Sequence, residues 1–127
     1  MTDRTPSEVL AEIMDRCVNK IKQSEMVTQE FAKQLLDNAD YHFGWADRAM
    51  QAAATERVHF VTLEGMRMGL EAKKNPVDIL ANAKRYALEQ ALRYAQHPER
   101  STSMSSNAMS QFRGVAWAEM NEYLTPF

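Results

Sequence analysis

With 127 residues, the chain is long enough for one domain with a real core and too short for two comfortable ones. Fifteen basic against 17 acidic side chains give a net charge of −2, which offers no basic footprint for nucleic acid. The single cysteine, Cys17, excludes an intramolecular disulfide and suits a reducing compartment, and no apolar run reaches the roughly 18 residues a membrane span needs, so a cytoplasmic protein without membrane contact is expected.

Four glycines and four prolines leave little turn punctuation in a chain rich in Ala, Glu, Gln, Lys, Met and Leu. That composition favours long helices and few loops. Residues 1–4 are expected to be flexible. Thr5-Pro6-Ser7-Glu8 is a helix start: Thr5 caps, Pro6 suits the first helical position and Glu8 completes a capping box. Val9, Leu10, Ile13, Met14, Cys17, Val18 and Ile21 trace one apolar stripe, which predicts a first helix over Pro6–Gln23. Ser24–Val27 reads as a short connection, with Thr28 capping the next helix.

Thr28–Lys74 contains no proline and reads as the long central segment around which the rest is arranged. Apolar or small residues recur at Leu36, Ala39, Phe43, Ala46, Met50, Ala54, Val58, Val61, Gly65, Met68 and Ala72. Those steps of three and four mark one helical face. As one rod it would be about 70 Å long, so it must either fold back or be sheathed by neighbours. Gly44, inside Asp40-Tyr41-His42-Phe43-Gly44-Trp45, is one place for a break. Gly65 and Gly69, four apart, suit close helix packing, and with Leu88 and Leu92 they are the expected dimer interface.

Asn75 before Pro76 forces a break and caps a third helix, expected over Pro76–Gln96. Leu80, Ala83, Ala87, Ala91 and Tyr94 form its stripe, while Leu88, Leu92 and Ala95 lie off it and widen the apolar surface toward a second subunit. Residues 98–105 are serine-rich and read as a polar connector. Ser105 or Ser106 then caps a last helix with Met109, Phe112, Ala116, Met120 and Tyr123 on its apolar face and Pro126 as its stop. The expected fold is all-α: a bundle of four to five helices in one domain, acting as a homodimer.

Little here points to catalysis. No glycine-rich phosphate loop is present, and Cys17 sits on a buried stripe where thiols are usually inert. Glu56 and His59 have the Glu-x-x-His spacing of helical metal ligands, but a di-metal bundle needs two such pairs and two more carboxylates. No cofactor is therefore expected, and a metal-binding helical protein is an alternative reading. A second alternative is DNA binding through Lys84, Arg85 and Arg93 of the third helix, although Glu89 between them looks like an ion-pair partner.

The nine methionines and the aromatic residues carry the preferred reading. Methionine is over-used on adaptable binding surfaces, and exposed aromatic rings anchor protein partners. Tyr41, Trp45, Met66, Met68 and Trp117 are the partner-binding candidates. The expected function is a non-enzymatic protein-interaction module, a regulator or inhibitor of a larger bacterial or phage complex.

Overall fold

Helix-start chemistry organises the chain where the sequence says it should. In the computed structural model, which describes residues 4–37, 43–96 and 104–127, Thr5 Oγ1 accepts the Glu8 N–H at 3.2 Å and opens helix α1, Pro6–Asp37. Side chains are described for residues 4–33, 47–96 and 109–127. Asn75 Oδ1 accepts the Val77 N–H at 2.9 Å and opens α3, Pro76–Gln96, whose bounds match the expectation. Helix α2 covers Phe43–Glu71 and α4 covers Met104–Leu124. All secondary structure among the described residues is α-helical.

The first helix is longer than the apolar stripe alone implied. Ser24–Val27 is not a connection, and Thr28 caps nothing, because α1 runs through both. Ser24 Oγ donates to Lys20 O at 2.8 Å and Thr28 Oγ1 donates to Ser24 O at 3.0 Å. Each hydroxyl is satisfied by the carbonyl one turn back, so neither competes for the helix backbone. The segment Thr28–Lys74 is accordingly not one rod. Its first ten residues belong to α1, and most of the rest forms α2. Gly44 lies inside α2, while residues 38–42 lie outside the described residues. Of the expected flexible start, residues 1–3 lie outside the described residues, and Arg4 pairs with Glu12 while its guanidinium lies 5.7 Å from the Phe127 ring centre. The last helix begins at Met104, so Ser105 and Ser106 fall in its first turn and not at a cap. Residues 98–103 of the expected connector lie outside the described residues.

Helix α2 touches all three other helices, and α1 pairs with it most extensively. Residues 20–27 of α1 border 48–55 of α2, while Arg16, earlier in α1, lies near enough to act on His59, later in α2, so the two run antiparallel. One core cluster joins the four helices: Leu10, Ile13 and Cys17 from α1, Val58, Leu63 and Met66 from α2, Ile79 and Ala87 from α3, and Ala116, Trp117, Met120 and Leu124 from α4. Along the outer edge, the Arg16 guanidinium of α1 lies 3.9 Å from the Tyr123 ring centre of α4, a cation–π contact that ties the two helices' surfaces.

The turn between α2 and α3 is tight because of how α2 ends. Lys74 N–H donates to Gly69 O and Lys73 N–H donates to Leu70 O, both at 3.0 Å. That bond pair is a Schellman cap, and it places Lys73 at φ 56°. A lysine there holds a left-handed conformation that glycine adopts without steric cost. Lys73→Gly is expected to stabilise the chain by about 0.5–1 kcal/mol. The check is a urea midpoint that moves up with an unchanged slope. A midpoint that falls would refute the strain assigned to this position.

Candidate functional site

The tight turn lays the C-terminal half of α2 against the N-terminal half of α3 and leaves a groove between them. Its volume is about 460 Å³. Val61, Gly65 and Met68 of α2 with Ala72 just beyond it form one wall, and Ala83 and Tyr86 of α3 the other. Lys74, Asn82, Arg85 and Glu89 add polar groups to the lining. Gly65 has nothing within 4 Å of where a Cβ would stand, so the α2 wall is open there. Gly69 is the opposite: a Cβ there would meet Ile79 Cγ1 at 2.8 Å. The expected close approach at these glycines is thus confined to Gly69, and it is made within the chain against α3.

The groove also explains why the apolar stripe expected on α2 fails beyond Val58. Ala54 and Val58 of that stripe are buried and Met50 is half-buried, but beyond Val58 the buried positions are Thr62, Met66 and Gly69, while Val61 is half-buried and Gly65 and Met68 are exposed. Leu63, Met66 and Leu70 make α2 apolar nearly all round, so spacing alone could not choose between two faces. Thr62 is kept on the buried face by donating its hydroxyl to Val58 O at 2.8 Å.

Met66 and Trp117, both proposed as exposed anchors, lie in the core at 1% and 5% exposure. Trp117 packs edge-on against Tyr86, with ring centres 5.3 Å apart and planes at 72°. Met68 is 66% exposed and stands at the groove. Tyr41 lies outside the described residues, and Trp45 is in α2 with its side chain outside them. Leu88 and Leu92 are exposed on α3, away from the groove. Sequence reasoning did not single out Tyr86, Ile79, Val77 or Leu70 as surface or groove residues. A signal for them existed, because a short Lys73-Lys74-Asn75 turn makes its flanking helices antiparallel neighbours. Counting outward from it pairs Gly69 with Ile79.

Titratable groups in the interior serve the fold. Burial pushes the Cys17 thiol up to about 11, with Arg16 opposing, so it is protonated and unreactive at neutral pH. His59 is buried, and its Nδ1 lies 2.7 Å from Thr55 O. A carbonyl only accepts, so Nδ1 carries the proton and donates. Burial holds the His59 pKa below its ordinary 6.5; the Thr55 hydrogen bond opposes this, and the Arg16 and Lys20 charges add to it. Among the described residues, no three His, Cys, Asp or Glu side chains gather as metal ligands around Glu56 and His59 or elsewhere.

The depressed pKa of His59 couples stability to acid. The unfolded chain takes up the proton near pH 6.5 and the folded chain only at lower pH. The contribution is therefore complete above pH 6.5 and is lost as pH falls through the folded-state value. Urea midpoints are expected to drop below pH 6.5 in the native chain and to drop less in His59→Gln. Equal acid sensitivity in both proteins would rule this coupling out.

On α3, Arg85 Nε lies 3.8 Å from Glu89 Oε1, one turn apart and exposed on both sides. Lys84 is half-buried. No helix among the described residues is long and apolar enough to cross a membrane. Comparison of the chain with protein-family models, with curated proteins and with solved structures found no match.

Proposed function

We propose that the chain is a non-enzymatic protein-interaction module whose α2–α3 groove receives an amphipathic helix of a partner protein, and that it acts as a homodimer. The observation that carries this reading is the open apolar groove with the solvent-facing Met68 and the unfilled space at Gly65 on its α2 wall. Residues 61–71 of α2 give it a length of roughly 15 Å, about three turns of a helix, which suits anchors at i, i+4 and i+7. Methionine and tyrosine on the walls can adjust to the anchors of a partner. Lys74 at the groove favours a partner helix with acidic residues beside its apolar face. The role we infer is that of a regulator or inhibitor of a larger bacterial or phage assembly in the cytoplasm.

The DNA-binding alternative has less support, since Arg85 already faces Glu89 and Lys84 is half-buried. Metal binding has less support too, with one His59 nitrogen engaged by Thr55.

The groove is tested by filling it. Gly65→Leu adds a side chain to open space and gains about 1 kcal/mol of helix propensity, so folding is retained. A partner captured from source-cell lysate by the native chain is expected to be lost with Gly65→Leu and with Met68→Glu. It should be kept with Val115→Glu, which alters an exposed position on α4. Capture unaffected by both groove variants would end this reading.

A further inference from the structure

A second apolar surface remains on the outside of α3. At 3.6 residues per turn, Val77, Ala81, Leu88, Leu92 and Ala95 fall within an arc of about 60°. Val77, Leu88 and Leu92 are 54%, 45% and 47% exposed, and Ala81 and Ala95 are exposed as well. The face that α3 turns to the core carries Ile79, Ala83, Ala87 and Tyr94 instead. One flank of the outer stripe carries Arg85 and Glu89, both well exposed and held together only at 3.8 Å.

We propose that α3 pairs antiparallel with α3 of a second copy of this chain, about a two-fold axis at the level of residue 87. This rests on the homodimer reading and gives it a surface, a direction and a register. In an antiparallel two-fold pair, residues on the same flank face each other, and the pairing is reciprocal. An axis midway between positions 85 and 89 brings Arg85 against the partner's Glu89 and Glu89 against the partner's Arg85. The same axis stacks Leu88 on the partner's Leu88. It brings Ala81 to within about 1.5 Å of the level of the partner's Leu92 and Val77 to within about 3 Å of the level of the partner's Ala95, so on either side of Leu88 small side chains neighbour large ones along the seam. Charge and size thus select one register, and a parallel two-fold pair would put the two Arg85–Glu89 flanks on opposite sides of the seam, where they cannot meet. The groove lies on the far side of Arg85 and Glu89, so each protomer keeps it open.

Sedimentation equilibrium of the full chain tests the dimer. Mass should rise from 14.5 kDa toward twice that value between about 1 and about 300 μM, the range expected for an interface at the small end of specific ones. Leu88→Glu should weaken association roughly tenfold or more while helicity stays native, since the position is exposed. Arg85→Glu alone and Glu89→Arg alone should each weaken it roughly fivefold, and mixing those two chains should restore a dimer between them. Restoration on mixing separates a pair between chains from one within a chain.

Oxidation of single-cysteine variants then reads the register, because the native Cys17 is buried. Leu88→Cys should cross-link, its two copies lying about 3 Å apart along the axis. Ala81→Cys should not, at about 18 Å. A native chain that stays monomeric throughout overturns both the homodimer and this surface. A dimer that tolerates Leu88→Glu, or that cross-links at Ala81→Cys, leaves the homodimer standing and overturns this pairing.

Discussion

Trp117→Ala is expected to cost the chain about 3–5 kcal/mol, a large part of the 5–15 kcal/mol that holds a typical domain together. Trp117 is 5% exposed and sits where α4 meets the rest of the core, beside Ala116 and Met120. Truncation removes the whole indole, and helices fixed by their own packing close the space only in part. It also deletes the edge-on contact with Tyr86, which contributes about 0.5–1.5 kcal/mol beyond area alone. Trp117→Phe keeps an aromatic ring in the site and is expected to lose less than half as much. The measurement is urea unfolding followed by far-ultraviolet circular dichroism, with the slope compared across variants. Had Trp117 been a surface anchor, the alanine variant would stay within about 0.5 kcal/mol of the native chain. That result would contradict the packing described for α4.

Met66→Ala and Met68→Ala are expected to separate stability from binding at positions two residues apart. Met66 is 1% exposed and among the largest fully buried side chains, so its truncation is expected to cost about 2–5 kcal/mol. Met68 is 66% exposed at the groove, and its truncation is expected to change stability by under about 0.5 kcal/mol. Partner capture, measured below the unfolding transition, should fall with Met68→Ala although its stability is unchanged, and folded Met66→Ala, whose side chain borders the groove from the core side, should lose less. A large stability loss at Met68 would place it in the core and remove the groove wall.

These two methionines show how much of the molecule was legible in its sequence. Helix starts were legible because their chemistry is local: Thr5-Pro6 and Asn75-Pro76 define α1 and α3 within a few residues. The all-helical class followed from sparse turn residues and three-four spacing. The length of α1 was not legible, since a serine or threonine that bonds one turn back looks, in sequence, like one that caps. The face of α2 was illegible for a different reason. A helix covered by three neighbours is apolar on several sides, and periodicity then underdetermines which side each neighbour takes. The groove follows from that choice, so Met68 was named for its residue type while Tyr86 and Ile79 were missed.

The position of the thiol has a use beyond its inertness. Cys17 is fully enclosed between α1 and the helices it packs against, and it is the chain's lone cysteine. A reagent reaches it only during excursions that lift α1 away. The pace at which the sulfur is modified therefore acts as a clock for those excursions, and it can be read without adding any probe to the native chain.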